Sequence, residues 1–232
     1  MTGNDRIEQA RLMYEQAIFS GDASLLAVAD RGLDAVEADL ALARGQIIHA
    51  RFLDQRNEDP EHVTEDPDEL AYFEHAAKLY ELLGDERGEA EALFWIGCFR
   101  QVVQRNNKDA LPFLERAKEL AAQAGDKKTM AEALRHLGIA AHYAGQLDTA
   151  RARLEESLQL RQEIGMVLGV ASNQVGLAYV TAQQGHQDMA MALLDEAAAT
   201  ARAGGAHVTL RQVEEARANL SGDSDRAPAD SD

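Results

Sequence analysis

A regular spacing of about 40 residues between glycine-containing turns constrains the fold of this chain more than any other feature. Gly84, Gly125, Gly165 and Gly205 follow one another at intervals of 41, 40 and 40 residues. Each interval contains apolar residues at helical spacing and is long enough for one pair of helices. A repeat of this length is typical of solenoids, in which each helix pair packs against its neighbours.

The clearest repeat runs from Gly125 to Gly165. Its first helix has small or apolar residues at i, i+3, i+4 and i+7: Leu134, Leu137, Gly138 and Ala141. Gly145 interrupts this pattern, and a second apolar row follows: Leu147, Ala150, Leu154 and Leu158. The spacing predicts two amphipathic helices joined by a tight turn.

The whole chain is predicted to be all-α, an α-solenoid of about five antiparallel helix pairs plus a C-terminal capping helix. We expect a single domain over residues 1–220 and a disordered tail over 221–232, which has no apolar periodicity. The predicted parts are a divergent first pair at 5–36, a second pair at 38–83, clear repeats at 85–124, 126–164 and 166–204, and the capping helix at 207–220. Within the first two pairs, separate helices are expected at 23–36 and 38–55.

An acidic segment at residues 57–68 is predicted to be a loop within the second pair. It contains Pro60 and Pro67 among many acids. A cation site is an alternative, but the segment lacks the alternating acids and the turn glycine of a calcium-binding hand. A solvated insertion is therefore favoured.

The charge of the chain argues against several classes of partner. It has 40 acidic and 23 basic residues, a formal net charge of −17, which repels nucleic acid and anionic membranes. No apolar run approaches the ~20 residues that a membrane helix needs. Cys98 is the one cysteine, which fits a reducing compartment, so a cytoplasmic location is expected.

Small residues recur where paired helices would approach closely: Gly97, Gly138 and Ala178 in first helices, and Ala110, Ala150 and Ala190 in second helices. With Leu134, Leu137, Leu154 and Ser157, these positions resemble the tetratricopeptide repeat. The similarity is to its longer form of about 40 residues, found in kinesin light chains and in the sensor halves of bacterial regulators. It covers residues 69–220 well and 5–55 loosely. Arg100, Ala141 and Thr181 stand where the family often has an aromatic residue, which leaves the repeat count open.

The resemblance implies that the first helix of each pair lines a concave groove. Carried over by position, the candidate groove residues are Phe94, Cys98, Gln101, Arg135, Ile139, His142, Tyr143, Tyr179 and Gln183. Within each repeat these positions share one helical face. A chaperone tail is disfavoured as the ligand, because Cys98, Ile139 and Tyr179 replace the asparagines of the family's carboxylate clamp.

The sequence offers little support for catalysis, metal binding or a cofactor. His136 and His142 are six residues apart and point in different directions on a helix, so no paired metal ligands are present. No glycine-rich phosphate loop and no G-x-S-x-G motif occur. A catalytic group of His142, Tyr143 and Arg135 remains an alternative.

The resemblance thus implies a cytoplasmic bacterial adaptor that is not an enzyme and holds a peptide or helix of a partner protein. Two alternatives stay open. One is a sensor or regulatory subunit for a small molecule or signalling peptide, and the other is an enzyme or biosynthetic accessory that acts in the groove.

Overall fold

A computed structural model describes residues 2–59 and 61–224, and this part of the chain consists of α-helices joined by short connections. Within each of its two units, successive helices pack as antiparallel neighbours. The prediction of an all-α protein with α-solenoid packing is confirmed. The chain divides into two compact units, Met1–Asp126 and Lys127–Asp232, each described separately below.

Each unit contributes five of the ten helices found in the described residues. In the first unit they are α1 (Gly3–Ser20), α2 (Ser24–Glu58), α3 (Pro67–Leu83), α4 (Glu86–Val102) and α5 (Asn107–Gln123). In the second they are α6 (Lys127–Tyr143), α7 (Leu147–Glu163), α8 (Val167–Gln183), α9 (Gln187–Ala203) and α10 (His207–Ser224). No helix in the described part of the chain is both long enough and apolar enough to cross a bilayer.

Helix α2 differs from the sequence prediction, because it is one helix of 35 residues instead of two. The expected break near residue 37 contains no proline and no glycine turn. Gly32 lowers helix propensity by about 1 kcal/mol, which is too little to end a helix that packs on both sides of the expected break. Ala29 is buried before the break and Ala38 after it. The merger gives one helix fewer than expected and makes α2 a shared neighbour of α1, α3 and α4.

The acidic segment and the C-terminal end also differ in their limits. Helix α2 continues to Glu58, and α3 begins at Pro67 after Asp66, whose side chain accepts a hydrogen bond of 3.0 Å from the Asp68 amide. Of the predicted tail at 221–232, residues 221–224 belong to α10, and the remainder lies outside the described residues.

The helix pairs of the second unit are held close by tight turns and small residues. Gly145 has φ of 72° between α6 and α7, and Gly185 has φ of 86° between α8 and α9; both are left-handed conformations that favour glycine. Gly138 packs against α7 so closely that a Cβ there would lie 2.8 Å from Leu154 Cγ. At Gly138 the structure therefore shows the close approach of paired helices that the small residues predict.

Helix α10 packs against both α8 and α9. Its buried side chains Val213, Ala216 and Leu220 join the core formed by the two preceding helices. The helix thus covers the apolar face of the last pair and also occupies the position next to α8. That position brings one more helix to the site described next.

Candidate functional site

A cleft of about 500 Å³ in the second unit brings together five of the predicted groove residues. Those five are Arg135, Ile139, His142, Tyr143 and Tyr179. The cleft, called the α6–α8–α10 cleft below, is completed by Leu154, Val175, Gly176, Gln212, Glu215 and Asn219. Its volume is in the range typical of ligand sites in proteins.

Helical periodicity explains why α6 supplies one wall of this cleft. Arg135, Ile139 and His142 are spaced i, i+4 and i+7, so they share one face of the helix. Leu134 and Leu137 lie on another face and are buried. The residues that hold the helix in the array are therefore separate from those presented to the cleft.

The floor of the cleft is apolar and its depth depends on Gly176 of α8. Ile139, Leu154 and Val175 supply aliphatic surface. A Cβ at Gly176 would meet Leu154 Cδ2 at 3.5 Å, an ordinary van der Waals distance. Glycine is therefore not required here by close packing, and its missing side chain leaves room above Leu154.

Aromatic rings line the upper part of the cleft. The His142 ring centroid lies 5.8 Å from that of Tyr143 and 6.4 Å from that of Tyr179. The Tyr179 hydroxyl accepts a hydrogen bond of 3.2 Å from Asn219 Nδ2, which links α8 to α10. Tyr143 is 76% exposed and stands at the rim. Such rings offer flat contact area with a polar edge.

The cleft presents both signs of charge. Arg135 comes from α6 and Glu215 from α10, with the amides of Gln212 and Asn219 on the same helix as Glu215. Together these groups can donate hydrogen bonds to carbonyl or carboxylate oxygens and accept them from amides.

Arg161 of α7 ties α6 to the start of α8. It is 3% exposed and donates hydrogen bonds of 2.9 Å to the Gly169 carbonyl and 2.7 Å to Glu132 Oε2. Burial lowers the pKa of Arg161 from its ordinary value, and the neighbouring Glu132 carboxylate opposes that shift. The arginine thus fixes the helices that carry the cleft residues.

Gln183 lies beside the α6–α8–α10 cleft, in a second cleft of about 380 Å³. The two clefts share His142, Tyr179 and Asn219. The sequence prediction missed the three polar residues of α10, because that helix was interpreted only as a cap. Their spacing in Gln212, Glu215 and Asn219, at i, i+3 and i+7, is a helical face that could have indicated them.

The other three predicted groove residues belong to the first unit, and the structure differs from the expectation there. Phe94 and Cys98 are buried, with 5% and 4% of their surface exposed. Gln101 is half-buried and donates a hydrogen bond of 2.8 Å to Asn107 Oδ1. The C-terminal half of α2 packs beside α4 and brings His49 to Cys98.

A buried row of three polar groups accompanies this packing. His49 Nδ1 lies 2.7 Å from Glu69 Oε1, and His49 Nε2 lies 3.7 Å from Cys98 Sγ. A thiol, an imidazole and a carboxylate in this order occur in nucleophilic enzymes. All three side chains are buried here, so the row holds α2, α3 and α4 together and offers no open surface to a substrate. The repeat pattern does not indicate this row, since His49 and Glu69 lie where the periodicity is weakest.

Among the described residues, no group of three or more histidine, cysteine, aspartate or glutamate side chains has the arrangement of a metal site.

Comparison with known proteins gives one family match. The tetratricopeptide repeat model matches residues 101–163. No curated protein sequence matches the chain. Among solved structures, the chain is similar to BtubC (BKLC) from P. vanneervenii, with 14% sequence identity and a TM-score of 0.44 over 99% of this chain and 94% of that one.

Proposed function

We propose, from the match of residues 101–163 to the tetratricopeptide repeat model, that this chain is a non-catalytic interaction protein whose α6–α8–α10 cleft binds a peptide or helix of a partner. Tetratricopeptide repeats generally mediate protein–protein interactions. The observation that carries the proposal is the convergence of Arg135, His142 and Tyr179 on one cleft with an apolar floor.

The chemistry of the cleft fits a partner segment that combines an apolar side chain with exposed backbone groups. The apolar side chain would contact Ile139 and Val175 on the floor. Arg135 would donate a hydrogen bond to a carbonyl or carboxylate of the segment. Tyr143, at the rim of the cleft, would have its exposed surface covered by the segment. Aromatic residues and arginine are the types that most often dominate binding energy in protein interfaces.

The proposal is tested by selecting peptides on the purified chain from a random display library. Peptides bound by the unchanged protein should lose about thirtyfold in affinity, or ~2 kcal/mol, for each of Arg135→Ala and Tyr179→Ala. The matched control is Arg202→Ala, which removes an exposed arginine from α9, a helix that does not line the cleft. Circular dichroism and melting curves show whether each variant keeps its fold.

Retained affinity in both cleft variants would contradict the proposal that the peptides bind in the α6–α8–α10 cleft. A library that yields no binder to the unchanged chain would contradict the proposed function itself. Loss of affinity that appears only together with loss of the folded state would show that these side chains support the fold instead.

A second candidate function is a sensor for a small molecule, and the volume of the cleft favours it. About 500 Å³ with an apolar floor and a few polar groups matches the usual dimensions of small-molecule sites. Native mass spectrometry of protein purified from its source would separate the two candidates, since a retained compound of a few hundred daltons supports the sensor. A bacterial origin and a cytoplasmic location also remain predictions, the latter supported by the single Cys98.

A further inference from the structure

A second exposed surface lies on α2 and has no part in the function proposed above. Four large apolar side chains follow one another along this helix at intervals of seven residues. They are Leu26, Leu33, Leu40 and Ile47, exposed by 41%, 40%, 51% and 54%. Seven residues are close to two helical turns, so the four side chains form one stripe along the helix, the α2 stripe. Helices that pair with each other show this heptad spacing.

A row of charged side chains runs beside the α2 stripe, four residues after each of its members. The row consists of Asp30, Glu37, Arg44 and Arg51, all exposed. Within this row the two acids come first along α2 and the two bases follow. When two copies of this row lie antiparallel, the acids of each copy face the bases of the other.

The geometry points to a homodimer in which two α2 helices pack antiparallel about a two-fold axis near Leu40. Leu40 then contacts the partner's Leu40, and Leu33 lies opposite the partner's Ile47. The same register sets Asp30 opposite the partner's Arg51 and Glu37 opposite the partner's Arg44. A parallel pair would bring acids near acids at one end and bases near bases at the other, which is unfavourable.

Helix α1 covers only part of α2, and the same two-fold arrangement uses the part that it leaves uncovered. Ala29, Val36, Ala43 and Ala50 all lie three residues after a member of the α2 stripe. Ala29 is buried and Val36 is half-buried on the side where α1 packs. Ala43 and Ala50 are exposed, because α1 does not extend that far. The two-fold axis brings the partner's α1 over these two small residues.

The groove between α1 and α2 would receive part of the partner. It has a volume of about 370 Å³, and its walls include Ile7 and Tyr14 of α1 and Leu26 and Leu33 of α2. The partner's Ile47 would enter next to Leu33. Together with the α2 stripe, the exposed surfaces of Tyr14 and Ile18 would be buried, which gives a contact along about 30 Å of helix. A stable interface needs about 800 Å² from each copy, and a contact of this length with both helices is of that order.

Two of the charged side chains are already held in place within one copy. Glu37 Oε1 lies 2.7 Å from His75 Nε2, while the Glu37 side chain stays 59% exposed. Arg44 donates a hydrogen bond of 3.3 Å to the Tyr72 hydroxyl. Side chains restrained in this way lose less conformational freedom when a second copy binds.

The test is sedimentation equilibrium of the full chain, which should give the mass of a dimer at micromolar concentration. Leu40→Glu sets two carboxylates against each other at the axis and should weaken the dimer by at least about tenfold. The matched control is Leu82→Glu, an exposed leucine of α3 outside the α2 stripe, which should leave the dimer intact. A monomeric unchanged chain would overturn the inference, and so would a dimer unaffected by Leu40→Glu.

Charge reversal tests the antiparallel register. Glu37→Arg and Arg44→Glu should each weaken self-association by about tenfold or more, because each creates two like-charge contacts across the axis. An equimolar mixture of the two single variants should restore a dimer, since each reversed side chain then faces a charge of opposite sign. A role in folding alone would not produce this recovery. A mixture that stays monomeric would overturn the proposed register.

Discussion

Gly138 and Gly176 both face Leu154, yet replacing each with alanine should change stability in opposite directions. A Cβ at Gly138 would lie 2.8 Å from Leu154 Cγ and 3.3 Å from the carbonyl oxygen of Ala150. A Cβ at Gly176 would meet only the two methyl groups of Leu154, at 3.5 and 3.6 Å. The same added methyl group is therefore overpacked at one site and accommodated at the other.

The magnitudes follow from two opposing terms. Alanine is favoured over glycine inside a helix by about 1 kcal/mol, so Gly176→Ala should raise the free energy of unfolding by roughly 0.5–1 kcal/mol. At Gly138 that gain is opposed by an overpacking cost of about 1–3 kcal/mol. The upper part of that range applies, because a side-chain branch point and a backbone oxygen must move. A net loss of about 1–2 kcal/mol is expected for Gly138→Ala.

Urea denaturation followed by circular dichroism measures both changes. Leu154→Ala combined with Gly138→Ala supplies the internal control, because removing the leucine branch should relieve the closer of the two contacts, leave the one with the Ala150 carbonyl, and make the two changes non-additive. Stabilisation by Gly138→Ala, or equal losses at both glycines, would refute the reasoning that an added methyl group is overpacked at Gly138 and accommodated at Gly176.

The remaining predictions concern single polar contacts. Glu69→Ala leaves His49 buried without its carboxylate and should cost about 3–5 kcal/mol in urea denaturation; a loss below about 1 kcal/mol would contradict a structural role for the pair. Asn106→Ala removes the cap whose side chain accepts from the Asp109 amide at 3.1 Å, and a melting curve should show a loss of about 1 kcal/mol, whereas an unchanged melting temperature would count against the cap. Arg161→Ala removes two buried hydrogen bonds and should lower stability by about 3 kcal/mol, which hydrogen exchange of α8 amides would detect as earlier local opening; unchanged exchange would argue that α8 is held by other contacts.

Much of the candidate site was predictable from the sequence because it depends on local periodicity. The 40-residue spacing of Gly125, Gly165 and Gly205 sets the length of each pair, and the period of 3.6 residues fixes which side chains share a face. Arg135, Ile139 and His142 could therefore be assigned to one surface without knowledge of any contact. The structure brings these three residues together in the α6–α8–α10 cleft.

Which helical faces are covered depended on the tertiary structure. Phe94 and Cys98 satisfy the same periodicity as the cleft residues, but both are buried, and α2 brings His49 against Cys98. Gly32 costs the helix only about 1 kcal/mol, and no proline stands near the expected break, so packing decides whether α2 continues. The sequence by itself thus determined the repeat length and the face of each helix, because both follow from the nearest residues in the chain. Only the tertiary structure decided which of those faces meets another helix and which is left open, because that depends on residues far apart in the sequence.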